Sequence, residues 1–288
     1  HFNVNKDQAA QLVATLSDFL AVDAISVRGA ATDDGAASPV RRTAMASLVL
    51  KDLDPRGASE ITVTDLQSRD GASGFVIESV AVNRLRLVEA QARRPSDPPM
   101  PLVPTFQSAD VKAMRFVGPG MTAELARLHL ESSDHIGAVP TRVAGVIENL
   151  SIPAEAIGDP QLRSTLADLG VKTVTIGVDL SGAWAESSEE VTVERAQISI
   201  GEIGSLALSG SAVGIPRAAF ENSAAFGDHA AGASLRQFRL TFTDGGLTGR
   251  WLGRVAEANK QPVDTIRKAS TANIPAIFAT IADASSRN

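Results

Sequence analysis

The densest set of side chains able to do chemistry lies in HLESSDH, which holds His129, Glu131, Asp134 and His135. Imidazole and carboxylate are zinc donors, and on a strand His129 and Glu131 would share a face because side chains repeat every second residue. A catalytic zinc site needs further support, and the only other histidines are His1 and His229. The segment therefore reads as a solvated hairpin end. DLDPRG, from Asp52 to Gly57, starts like a calcium loop, but Val63 stands where the twelfth-position carboxylate is required. GPGMTA, from Gly118 to Ala123, fits only a loosened dinucleotide fingerprint and has no βαβ unit around it. Both read as turns.

Nucleophilic chemistry is equally thin. The chain has no cysteine, and no GxSxG or phosphate-loop motif is present. Asp228 and His229 fall in AFGDHAAGAS, which reads as a loop, and no serine stands at a spacing that would complete a triad. The adjacent carboxylates Asp33–Asp34 and Glu189–Glu190 read as solvated charge. The expectation is a protein that is not an enzyme, with no catalytic residue, no metal and no cofactor. A hydrolase with scattered carboxylates is the enzymatic alternative.

The bulk properties narrow the class further. The net charge is −6 and aromatics are 4% of the 288 residues, which excludes the basic, aromatic-studded surface of a nucleic-acid binder. No stretch reaches the roughly 20 apolar residues of a membrane-spanning helix. A membrane anchor would therefore lie outside residues 1–288. The chain starts at His1-Phe2, which fits a removed signal peptide, a trimmed N-terminal anchor or the remnant of a tag. The absence of cysteine suits an envelope or secreted protein.

The elements that would position any site come from hydrophobic periodicity. Residues 5–20 place Ala9, Leu12, Val13, Leu16, Phe19 and Leu20 at helical spacing. The period then changes to two, and strands are predicted over 22–29, 43–53, 109–117, 122–132 and 141–152, with a helical alternative for 123–130. Residues 60–85 and 190–215 both read strand, glycine turn, strand. Aligned without a gap they share Glu60/Glu190, Thr62/Thr192, Val63/Val193, Gln67/Gln197, Gly71/Gly201, Gly74/Gly204 and Ser79/Ser209. Shared hairpin grammar explains this as well as a duplication does.

Asp159 as cap, Pro160 at the first helical position and Gly170 as stop predict a short helix. Two strands alternate cleanly after it: Val174, Ile176, Val178 and Leu180, then Phe238, Leu240 and Phe242. Thr243–Gly246 ends the second. One helix with Leu247, Trp251, Leu252 and Val255 on a face follows, then a last helix that presents Ile274, Ile277, Phe278 and Ile281. The segregated order of elements predicts an α+β fold: a large curved antiparallel β-sheet built of long hairpins, packed with an N-terminal helix and two C-terminal helices. The proline-rich passage 93–104 marks a linker between residues 1–92 and 105–288, or an edge crossing within one continuous domain 1–288.

The stretches VTVERAQISIGEIGSLALSG and SLRQFRLTFTDGGLTGRWLGRVAEANKQPVDTIRK resemble uncharacterised, signal-anchored, β-rich envelope proteins of alphaproteobacteria. More distantly they are similar to AsmA-type proteins of the Gram-negative envelope. The likeness covers residues 152–268. It implies a periplasmic or envelope location and lipid handling along an apolar β groove, although this chain is short for a membrane-bridging groove and ends in helices. From the residues themselves, the expected ligand-binding positions are Val174, Ile176, Val178, Leu180, Leu206, Leu208, Phe238, Leu240, Phe242 and Trp251. Gly204, Gly210 and Ala212 share the parity of Leu206 and Leu208 and would leave space for an apolar body. That body is the protein's own helix, a lipid or a partner segment. The expected partner is a lipid or hydrophobic ligand, with an adaptor role toward another envelope protein as the alternative.

Overall fold

The computed structural model describes residues 22–34, 41–89, 102–221 and 226–272. The helix predicted over 5–20 and the apolar positions 274–281 lie outside the described residues.

Among the described residues, twelve strands form one antiparallel sheet. They are β1 (Val22–Asp34), β2 (Arg41–Leu53), β3 (Gly57–Asp70), β4 (Ser73–Glu89), β5 (Leu102–Thr105), β6 (Ser108–Gly118), β7 (Met121–Ile136), β8 (Val139–Pro153), β9 (Thr173–Ala185), β10 (Glu190–Ile200), β11 (Gly204–Val213) and β12 (Ser234–Asp244). Each strand pairs with the next in sequence, except that β5 and β6 both line one side of β4. The sheet thus continues across the proline-rich passage. Residues 123–130, for which helix was an alternative, are strand within β7. Five helices accompany the sheet among the described residues: α1 (Pro160–Asp168), α2 (Ala218–Glu221), α3 (Phe226–Ala231), α4 (Leu247–Asn259) and α5 (Val263–Ala272). The segment around Asp228 and His229, expected as a loop, is α3. Its short apolar-polar run closes one helical turn, which the flanking glycines obscured in the sequence.

Local signals explain the helix ends. The Asp159 carboxylate accepts from the backbone N–H of Gln161 at 2.8 Å and of Leu162 at 3.2 Å, satisfying donors that α1 leaves orphaned. Asp244 does the same for α4, accepting from the N–H of Gly246 at 3.2 Å and Thr248 at 3.1 Å. These bonds, that of Thr248 first, hold its carboxyl below the usual aspartate range.

The strands are long because their alternation is reset rather than ended. Gly29 in β1, Asp65 in β3, Ala113 in β6 and Asn149 in β8 have φ of 63°, 50°, 48° and 52°. The register places these four on one row of the sheet: the pairs Arg28↔Ser47 and Ala30↔Met45, Thr64↔Ser79 and Leu66↔Ile77, Lys112↔Arg127 and Met114↔Leu125 flank it. A left-handed residue inside a strand rotates the chain so that alternation restarts. Apolar residues on the two sides of the row are accordingly spaced by three, as in Val27/Ala30, Val63/Leu66, Val111/Met114 and Ile147/Leu150, and still serve one face. A second set of left-handed residues, Asp52, Arg84 and Asp134, lies toward the other end of the strands running in the opposite direction.

Glycine, aspartate and asparagine tolerate this conformation, whereas alanine there costs about 1 kcal/mol. Ala113→Gly is therefore expected to stabilise the protein by roughly 0.5–1 kcal/mol. A urea midpoint for Ala113→Gly at or below that of the parent would contradict the strain.

The core is small and sits at the two strand ends of one face. Ala154, Leu166 of α1 and Val174 form one buried cluster with Ile176 and Ile200 against it. Trp184, Ile215, Ala219 and Phe220 form the other, with Val191 against it. Trp184 and Phe220 have ring centroids 4.5 Å apart, and the indole Nε1 donates to the Ile215 carbonyl at 2.9 Å.

Candidate functional site

Between the two end clusters, one face of the sheet is apolar from edge to edge. The cross-strand register gives the row Val27, Leu48, Val63, Val80, Val111, Leu128, Ile147, Val178, Ile198, Leu206 and Phe242, each residue the partner of the next. The neighbouring row on that face is Ile25, Leu50, Ile61, Val82, Ala109, Leu130, Gly145, Leu180, Ala196, Leu208 and Leu240. No polar side chain interrupts either row. Ten inter-strand steps of about 4.8 Å make a path of roughly 48 Å.

This belt is open. Leu180, Ile198 and Leu206 are 43%, 40% and 42% exposed, and Phe238, Leu240 and Phe242 on β12 are 55%, 55% and 60% exposed. A soluble monomer rarely leaves contiguous apolar surface of this extent bare. A hollow of 240 Å³ opens at the belt, lined by Phe106, Leu130, Val143, Gly145 and Leu180 and bordered by Glu131, Ser132 and His135.

The ten positions expected to bind a ligand divide into three groups. Val178, Leu180, Leu206, Leu208, Leu240 and Phe242 share the open face, joined by the register just given, and Phe238, opposite Gly210, continues it along β12. Val174 is buried and Ile176 half-buried against the α1 cluster, because α1 folds back over that end of β9. Trp251 lies on α4, 49% exposed, while its neighbour Leu252 is buried. α4 packs on α5, and the belt stays uncovered by these helices.

Gly204 and Gly210 have a role different from the one expected. A Cβ at either would meet a backbone oxygen of β12 at 2.4 Å, that of Thr243 or Gln237, so they permit close strand approach rather than room for a ligand. The sequence signal for the first half of the belt was missed. ISVRG and ITVTD each place two apolar residues two apart and then a left-handed residue, and GVIEN places Ile147 two before one, so a pattern of period two followed by a reset could have found it.

The opposite face is polar and carries the histidine segment. Asp110, on β6, sits across from His129. Its Oδ2 accepts from Arg127 Nε at 2.8 Å and Nη2 at 2.6 Å, and lies 2.9 Å from His129 Nδ1. His129 Nε2 lies 3.0 Å from Glu131 Oε1. Both ring nitrogens thus lie against carboxylate oxygens. Among the described residues no set of three or more metal-ligand side chains converges. The solvated hairpin end expected for this segment is a mid-strand ion network at His129, with Asp134 and His135 nearer the turn. Asp110 Oδ1 is enclosed without a partner.

Burial pushes the Asp110 carboxyl up, but the hydrogen bonds and charge of Arg127, with the His129 contact, outweigh it and hold it below the usual aspartate range. A depressed carboxylate stabilises the fold above its unfolded pKa of about 4, and that stability is lost as pH falls through the lower folded value. Arg127→Met removes the larger opposing influence, so the acid-unfolding midpoint is expected to move to higher pH. Equal midpoints for the variant and the parent in a fluorescence titration would dismiss the coupling.

Residues 197–287 match the model of a family described as an uncharacterized protein. No curated protein and no solved structure matches the chain. No described helix is long and apolar enough to cross a membrane.

Proposed function

We propose that the protein binds a lipid on the open apolar belt and performs no chemistry there. The observation that carries this reading is the pair of unbroken apolar rows across eleven strands, exposed in their second half and closed at both strand ends by the α1 and Trp184 clusters. Along the two rows every side chain is apolar or glycine, and none is a nucleophile, an acid or a metal ligand. What they offer is apolar area.

The size of the effect selects the ligand. Burying a methylene fully is worth about 0.8 kcal/mol, and a chain lying on an open face buries roughly half of that. A single acyl chain then gains on the order of 5–6 kcal/mol before the cost of ordering it, the range in which one myristoyl chain holds to a membrane only marginally. Two chains double the gain. A diacyl lipid therefore suits the belt better than a free fatty acid, and the path of about 48 Å across the strands accommodates both chains.

The resemblance of residues 152–268 to envelope proteins adds the expectation of a periplasmic or envelope site of action, where diacyl lipids are abundant. The test is native mass spectrometry of protein purified without detergent. Adducts with the mass of a diacyl lipid, lost on organic extraction, are expected. A ligand-free protein that also takes up no lipid from phosphatidylethanolamine vesicles overturns the reading.

A further inference from the structure

A second hollow lies mainly on the polar side of the sheet and meets the hollow of the belt at Glu131, Ser132, Val143 and Ala144. It measures 680 Å³ and crosses the strands from β3 to β10, with Ser108, Ser133 and Ser181 among its lining side chains. Amides of Asn83 and Gln107 also line it, and no aromatic or large aliphatic side chain except Val143 does. Its volume is in the range of small-molecule sites, and hydroxyl, amide and charged groups are spread along its lining.

Four charged side chains face this cleft: Arg84, Glu131, Arg142 and Glu194. Two are already matched, Glu131 by His129 at 3.0 Å and Arg142 by Asp134 at 3.6 Å. Arg84 and Glu194 have no ion-pair or hydrogen-bond partner among the described residues. They stand at opposite ends, on β4 and β10, with β6 to β9 between them. Arg84 also has φ of 50°, in the left-handed region. The other residues that reset the strands are glycine, aspartate, asparagine or alanine, and Arg84 alone among them carries a long side chain. Strain held at such a position is a reason to look for a role.

We propose that this cleft binds a short linear peptide, its free C-terminal carboxylate at Arg84 and its α-amino group at Glu194. A guanidinium recognises a carboxylate through paired N–H donors, and a carboxylate answers an ammonium. The serine hydroxyls and the Asn83 and Gln107 amides between them both donate and accept, as the successive N–H and C=O groups of an extended backbone require. Five inter-strand steps of about 4.8 Å set the span at roughly 24 Å or less, which an extended peptide of about seven residues covers. Two opposite charges at the ends of a floor whose own charges, Glu131 and Arg142, are already paired suit a zwitterionic chain better than a phosphorylated ligand, which would call for cations at one place.

The experiment is isothermal titration of the full chain with a seven-residue peptide of alanine and serine, with free ends, N-acetylated, or C-amidated. The free peptide is expected to bind, and either cap to weaken it about fivefold. Arg84→Gln is expected to abolish the difference made by amidation but keep that made by acetylation, and Glu194→Gln the reverse. Circular dichroism checks that both variants fold. No saturable binding of the free peptide, or equal affinity for free and doubly capped peptide, overturns the proposal. Ile198→Asp on the opposite face should leave peptide binding unchanged, so failure of this site and failure of the lipid belt are separately visible.

Discussion

Ile198→Asp is expected to abolish lipid uptake, by a hundredfold or more, while Gln197→Asp leaves it within a factor of about two. The two positions are adjacent in β10 and point to opposite faces. Ile198 joins Val178 and Leu206 in the belt, whereas Gln197 pairs with Asp179 and Ala207 on the polar face. A carboxylate beneath an acyl chain loses its water without gaining a partner, a penalty of several kcal/mol per group. The fold should survive, since Ile198 is 40% exposed and its burial contributes only part of the ~1.5–3 kcal/mol of a fully buried side chain. Transfer of a fluorescent diacyl phospholipid from vesicles reads the effect. Equal transfer by both variants would mean that the open face is not where lipid sits.

The second large effect is on stability and separates the two tryptophans. Trp184 is 8% exposed, packs its ring at a tilt against Phe220 and donates to the Ile215 carbonyl. Trp184→Ala leaves a cavity against α2 and an unmet carbonyl, so a loss of about 3–5 kcal/mol is expected. Trp251 is 49% exposed on α4, and Trp251→Ala should cost no more than about 1 kcal/mol. Urea unfolding followed by far-ultraviolet circular dichroism measures both. A Trp184→Ala midpoint no lower than that of Trp251→Ala would show that the end cluster does not hold the sheet.

The two effects are connected. A sheet with one open apolar face has few places to bury large side chains, and here they are concentrated where α1 and α2 fold onto the strand ends. The middle of the face is left for another apolar body. Stability and the proposed lipid binding thus fall on different parts of the same surface, which is why a belt substitution and a cluster substitution should be distinguishable by experiment.

Several features could be read from the residues alone because they depend on short-range chemistry. Alternation in Val174, Ile176, Val178 and Leu180 and in Phe238, Leu240 and Phe242 specified strands and their apolar side. Asp159, Pro160 and Gly170 specified α1, and Asp52–Gly57 and Gly118–Ala123 specified turns. The antiparallel order of hairpins followed from the spacing of glycine turns.

What the chain did not disclose depends on register between distant strands. Only pairing aligns Gly29, Asp65, Ala113 and Asn149 on one row and joins eleven strands into continuous apolar rows, because a residue's cross-strand partner is fixed by turn length and hydrogen bonding and not by its own type. Burial of Val174 and exposure of Trp251 were likewise settled by where α1 and α4 come to rest. Arg84 and Glu194 lie 110 positions apart in the chain, and their facing one cleft is a product of the folded sheet alone.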